Sequence, residues 1–287
     1  MDDTVTWSSN TLTLNAQNDI NINTAMMGSA TAGLALEYGQ ANVEAGNTSG
    51  VKINAPVNLA STGSFSTQLG SDGGVNNYTI ITGLGLAGSV TATDLQGMSG
   101  DLSGNYVLGT NIDAAATTGW NSGAGFTPVG NPTTDFAGSF NGLGHSISDL
   151  YINTIFTPSS GDSGYVGLFG MTDASSQILN VGLLNNSVTG IGNSYYVGAL
   201  VGRNTGLIQN SYASGNVRGA THVGGLVGNN QGTIEKSYSA GAVTGGNRLG
   251  GLVGINAGGN VTDSYSSSSV TTYAYQNIYG GLIGQNS

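Results

Sequence analysis

Residues 222–245 read HVGGLVGNNQGTIEKSYSAGAVTG, and residues 249–272 read LGGLVGINAGGNVTDSYSSSSVTT. A third copy, YVGALVGRNTGLIQNSYASGNVRG, occupies 196–219. Partial copies open at YVGLFG (165–170) and YGGLIG (279–284). The apolar block that opens each copy closes on a glycine, in turn Gly170, Gly202, Gly228, Gly254 and Gly284. A near-constant spacing of this kind, within the range of about 20–50 residues, marks a solenoid or a related array.

Inside a copy, apolar runs of about four residues alternate with Gly, Asn and Ser, which reads as short strands rather than helix. A strand this short gains stability by pairing with its equivalent in the next coil, about 4.8 Å away. The fold class expected is therefore all-β, a right-handed parallel β-helix (β-solenoid). Leu168, Leu200, Leu226, Leu252 and Leu282 should stack as one interior column. Phe169, Val201, Val227, Val253 and Ile283 should then fall on the opposite face of the same strand, by two-residue alternation. Tyr212, Tyr238 and Tyr265 make a second stack with Leu183 in their register, and Val188, Val217, Val243 and Val270 a third. Asn204, Asn230 and Asn256 fit either left-handed turn positions or an internal amide ladder.

The organisation expected along the chain is three stretches of one solenoid. Residues 1–87 are less regular rungs, carried by TVTW, TLTLNA, DININTAM, GLALEYG, VKINAPVNLA and YTIITGLG. Residues 88–164 continue the helix with a loop excursion near 114–136, and TATDLQGM (91–98) fits one helical turn capped by Thr93 or Asp94. INTIFTPSSGDSG (152–164) reads as a surface loop. Residues 165–287 are the regular coils. At roughly 24 residues and about 4.8 Å per rung, such a rod is on the order of 55 Å long.

Fifty of 287 residues are glycine and only 7% are charged. Hydrophobic residues make up 38%, enough for a packed core, so disorder is a poor reading. Five basic residues against fifteen acidic ones give a net charge of −10. That excludes a basic patch for nucleic acid or anionic lipid. No apolar stretch reaches the length of a membrane-spanning helix, so no membrane insertion is expected. MDDTVTWSSN has neither a basic nor an apolar leader segment, and the copy that opens at 279 breaks off at Ser287. The expectation is a piece of a longer array, and the absence of cysteine fits a secreted or surface protein.

The block GGLVGNNQGTIEKSYSAGAVTG resembles the GLUG repeat. TVTWSSNTLTLNAQNDININTAM is similar to the rungs of large exoproteins related to filamentous haemagglutinin, and NYVLGTNIDAAATTGW through FAGSFNGLGHSISDLYI is similar to a segment that precedes GLUG repeats in them. The resemblance implies a two-partner-secretion adhesin segment. It would be secreted or held at the bacterial cell surface, exported by an outer-membrane partner channel, and act in attachment to host cells or in biofilm. A receptor on host cell or matrix, glycans included, is the implied partner. GLUG repeats also occur in some surface proteases.

The alternative is a carbohydrate-active or carbohydrate-binding β-helix, which needs carboxylates converging on a groove. The acids here are scattered. His145 and Asp149 in GLGHSISDL are four residues apart and, on a strand, would share a face; solvated polar positions are the plainer reading. Two histidines and no cysteine leave no zinc set. Asn15, Asn18, Asp19 and Asn21 could hold calcium, but the β-roll calcium nonapeptide is absent. No GxSxG elbow is present, the Gly strings are explained by the repeat rather than by phosphate binding, and Thr forms no regular ice-binding column. His222 shares a column with Tyr196, Arg248 and Ile278, a mixture that predicts exposure. We therefore expect no enzyme, no cofactor and no metal. Tyr195, Tyr196, Tyr273, Tyr275 and Tyr279, near the coil boundaries, are the candidate contact residues, since tyrosine favours binding surfaces.

Overall fold

The computed structural model describes residues 3–156, 164–192, 194–273 and 278–287, with backbone alone for Phe156, Ser194 and Tyr195. The chain is an all-β solenoid of parallel strands. Its spine is a ten-stranded sheet whose strands are hydrogen-bonded in chain order, from Thr11–Asn15 through to Asn260–Thr262. Nine intervals of about 4.8 Å make that sheet roughly 43 Å long. Its coils take up more chain than the short repeat implies, which is why the rod is shorter than expected. The first step, from Thr11 to Gly33, is short, but the later coils are longer, from Leu207 to Thr233 at the compact end to Ser139 to Gln177 at the other.

The leucine column is interior as expected, with Leu168, Leu200, Leu226 and Leu252 fully buried and Leu282 packed against them. The neighbouring Phe169, Val201, Val227 and Val253 are buried too, not turned outward. The reason is the bend at each leucine. Ala199–Leu200 and its equivalents are corners, and the strand begins one residue later, at Val201, Val227 and Val253. Alternation holds along a strand and not around a corner, so both residues face inward.

The tyrosine register also differs from the expected one. Tyr212, Tyr238 and Tyr265 pair in sequence, but Gly182, not Leu183, continues the column. A side chain at 182 would strike the Tyr212 ring, 2.3 Å from an ideal Cβ. Leu183 instead precedes Ala213 and Ser239 on the inward face. The valine column, Val188, Val217, Val243 and Val270, is as expected. In the copies at 196–219 and 222–245 the last strand is far longer than the apolar runs suggest. Tyr212–Gly224 and Tyr238–Gly250 each run 13 residues across the boundary between copies, because the motif is cut in the middle of a strand.

Asn204, Asn230 and Asn256 form the internal amide ladder. Thr172 Oγ1 donates to Asn204 Oδ1 (3.0 Å), Asn204 Nδ2 to Asn230 Oδ1 (2.9 Å), and Asn230 Nδ2 to Asn256 Oδ1 (2.8 Å). Asn256 Nδ2 continues to Asn286 Oδ1 at 2.8 Å. Buried amides must find partners, and here each finds its equivalent one rung on.

The closing glycines serve close approach. An ideal Cβ at Gly228 would lie 2.5 Å from Val197 N, on a strand of the facing sheet, and 2.7 Å from Gly202 O of the preceding coil. Two sheets touch backbone to backbone there, nearer than any side chain allows.

Two cores share the spine sheet. Leu34, Leu36, Phe65, Ile80 and Val107 belong to an N-terminal core, whereas Ile81, Tyr106, Leu108, Phe140 and Ile178 belong to the C-terminal one. Ile80 and Ile81 are consecutive, so they point to opposite faces of one strand. The change of covered face coincides with the antiparallel pairing of Ser64–Leu69 with Asn76–Ile81.

Between the regular stretches, Gln96–Gly100 and Ala115–Gly119 are single 3₁₀ turns. Asp94 helps to start the first, its Oδ1 accepting the Gly97 N–H at 2.7 Å.

Candidate binding surfaces

Tyr195 has no described side chain, and Tyr275 lies outside the described residues. Tyr196 is half-buried in a ring column, with Tyr165 on one side (centroids 5.3 Å) and His222 on the other (4.9 Å). His222 and Arg248 are half-buried as well, and only Ile278 at the end of the column is exposed. Tyr273 is exposed, and its hydroxyl donates to Gly219 O at 3.0 Å, two coils back. Tyr279 is exposed and pairs with Leu249, continuing the register of Val197 and Val223. No ring contact joins Tyr196, Tyr273 and Tyr279 among the described residues.

The more regular aromatic feature is the stack that begins at Tyr212. Its rings lie nearly parallel, 4.8 Å apart at 2° to Tyr238, and Tyr238 is 5.0 Å at 5° from Tyr265. Burial raises the Tyr238 hydroxyl above the ordinary tyrosine range, and the flanking Tyr212 and Tyr265 add to the shift.

His145 and Asp149 do not share a face. His145 is buried in a corner, with Nε2 2.9 Å from Val57 O and Nδ1 3.2 Å from Asn111 Oδ1. Asp149 is exposed at φ 57°, a left-handed corner that reverses the alternation between them. Both facing oxygens only accept, so the neutral ring donates to one of them at a time, through Nε2 to Val57 or through Nδ1 to Asn111. Burial lowers the His145 pKa below 6.5, against the opposing hydrogen bond to Val57. The imidazole thus ties the corner after Leu143 to the N-terminal rungs.

Around the proposed calcium turn, Asp19 pairs with Lys52 (2.8 Å) and accepts the Gly50 N–H (3.0 Å). Those bonds, the Lys52 one first, hold its carboxyl below the usual range. Asn15 donates to Glu37 Oε2 at 2.6 Å. Among the described residues, no group of three or more His, Cys, Asp or Glu is placed to hold a metal ion. Likewise, no helix among them is long and apolar enough to cross a membrane.

The GLUG motif is matched at residues 193–218, 219–244 and 245–271. Halomucin of Haloquadratum walsbyi is 39% identical over 120 residues, which is 40% of this chain and 1% of that protein. A Gly-rich membrane protein of Evansella cellulosilytica is 37% identical over 88 residues, 31% of this chain and 10% of that one. The chain therefore spans a small part of the length of these relatives. The solved structure of a Bacteroides ovatus protein assigned as an immunoglobulin A1 protease is similar at a TM-score of 0.38 and 15% identity, over 74% of this chain and 84% of that one.

Proposed function

We propose that the chain is a segment of a secreted or surface-attached bacterial adhesin, a stiff rod that holds binding surface away from the cell for attachment to host cells or within biofilm. The spine sheet carries the reading. Its strands are hydrogen-bonded in an unbroken series along the long axis, and the buried amide ladder runs parallel to it. Each interface between rungs is held by several columns of backbone hydrogen bonds at once, so stretching or bending the rod loads all of them together. The similarity to halomucin and to a protein named for a membrane supports a place at the cell surface. A two-partner-secretion system would export the parent, and the partner would be a receptor on host cell or matrix.

No catalytic step belongs to this reading. The one acid–base pair of the right spacing is split between a buried corner and solvent. The direct test coats microspheres with the purified chain and counts their retention on epithelial monolayers and on immobilised matrix proteins under flow. Retention above that of albumin-coated spheres is expected. Retention equal to albumin on every surface would end the adhesive reading and leave a spacer.

A further inference from the structure

The spine sheet carries a groove where its cover changes sides. On one face Leu12, Leu34 and Phe65 pair across the N-terminal strands and pack in the N-terminal core, and Tyr78 pairs with Phe65. The pairing of Tyr106 with Thr79 sets Asn105 beside Tyr78, and the same register runs on through Ser139 and Gln177. So the row that is core in the N-terminal rungs becomes a polar surface further along the sheet. The step between covered and open sheet leaves a cleft of about 170 Å³ lined by Asn76, Tyr78, Ser103, Asn105, Ser139 and Gln177, with further small residues at its rim.

Three properties of the cleft define a ligand. First, among the described residues the side chains of Asn76, Asn105, Ser139 and Gln177 make no hydrogen bond to the protein, so their donors and acceptors are open. Second, no charged side chain lines it, and the chain as a whole is at −10, which disfavours an anion. Third, its polar groups sit on rigid parallel strands about 4.8 Å apart, close to the advance per sugar of an extended β-linked hexose chain. Tyr78 supplies an apolar ring at one end. It is held edge-on to Phe65 (centroids 5.2 Å, 66°), with its hydroxyl 3.3 Å from Thr67 Oγ1. A sugar ring offers the same pairing of apolar face and polar rim.

We propose that this groove binds a neutral, extended glycan, laid along the sheet axis with one ring against Tyr78 and its hydroxyls on Asn105, Ser139 and Gln177. The proposal goes beyond the attachment reading and does not depend on it. The microsphere assay and the binding assay below fail separately.

The experiment is calorimetric titration of the whole chain with neutral hexasaccharides of β-1,4-glucan, β-1,3-glucan and β-1,4-mannan, and with the acidic hexamer of galacturonate. At least one neutral hexasaccharide should bind, and the acidic one more weakly. Asn105→Ala and Gln177→Ala, at surface positions, should each weaken that binding about five- to tenfold without moving the melting temperature. Ser139→Trp, which fills the cleft from its floor, should abolish binding, and Thr233→Ala, on the same face beyond the cleft, should change nothing. The proposal is overturned if no neutral hexasaccharide binds at millimolar concentration, if the acidic one binds more tightly, or if the Asn105, Gln177 and Ser139 variants bind like the parent.

Discussion

The rungs before residue 70 and the coils after residue 164 reach the same parallel architecture by different means. The N-terminal rungs advance unequally in the spine, with a short step from Thr11 to Gly33 and a longer one from Gly33 to Ser64, and carry no recurring motif. They rely on an ordinary mixed core of Leu34, Leu36, Val57 and Phe65, with isolated polar ties such as Asn54 to Asn23. The C-terminal coils rely on identity. Like stacks on like, so one amide, one tyrosine and one glycine contact recur in each coil. Repetition is thus one way to satisfy a β-solenoid and not a requirement of it. What both halves must supply is an apolar residue at each inward register and a partner for each inward polar group.

Burial separates the first spine strand from the coils most, since Leu34, Leu36 and Val57 further along the N-terminal core are as enclosed as the coil leucines. Leu226 is fully enclosed, so Leu226→Ala should cost about 2–5 kcal/mol in denaturant melts. Leu14, half-buried in the first spine strand, should lose only about 1 kcal/mol as Leu14→Ala. Equal losses would show that the first strand is packed as tightly as the coils.

Backbone contact comes next. Gly228→Ala places a methyl where backbone atoms of the facing sheet already stand, and an overpacking loss of about 1–3 kcal/mol is expected. Gly74, with open space around it, should accept Ala with a change inside about 0.5 kcal/mol. A neutral Gly228→Ala would mean that the coils can spread, contrary to the close approach of their two sheets.

The tyrosine stack should contribute less. Tyr238→Leu keeps apolar bulk but breaks two ring contacts, and about 0.5–1.5 kcal/mol per pair is the expected scale. The doubly substituted Tyr212→Leu, Tyr238→Leu chain separates coupling from simple burial. Additive losses would reduce the stack to two independent side chains.

The smallest effect concerns the joint between the halves. Burial keeps His145 neutral in the folded chain, while the unfolded chain takes up a proton as pH falls through about 6.5. The stability this site holds above that pH is therefore lost as pH drops toward the lowered folded value. Between about pH 7.5 and pH 5 the parent should lose more melting temperature than His145→Gln. Parallel pH curves would remove His145 from the joint's energetics.

The coils are legible in the sequence because a strict period leaves few architectures, and the Leu, Tyr and Val columns follow from aligning the copies. The departures lie at corners. Two-residue alternation does not pass through the bend at Leu200 or the left-handed corner at Asp149, and a reading that extends it there misplaces the side chains beyond. The change of covered face escapes the same reading, although YTII and NYVL carry its signal. Ile80 and Ile81 are consecutive, as are Tyr106, Val107 and Leu108, and all five are buried. Such runs mark a strand covered on both faces. The polar cleft is hidden for a related reason. Asn105, Ser139 and Gln177 are far apart along the chain at unequal intervals, and only the register of the sheet brings them into a row.

The amide ladder has a direction. Asn204, Asn230 and Asn256 each donate toward the C-terminus and accept from the rung before, and the Thr172 hydroxyl supplies the first donor of the series. Inserting one more repeat unit between any two members adds one donor and one acceptor, already aimed at each other. Length is therefore a quantity that gene duplication can change without leaving an unmatched polar group inside. A lineage of such proteins is free to vary reach while keeping the interior chemistry constant.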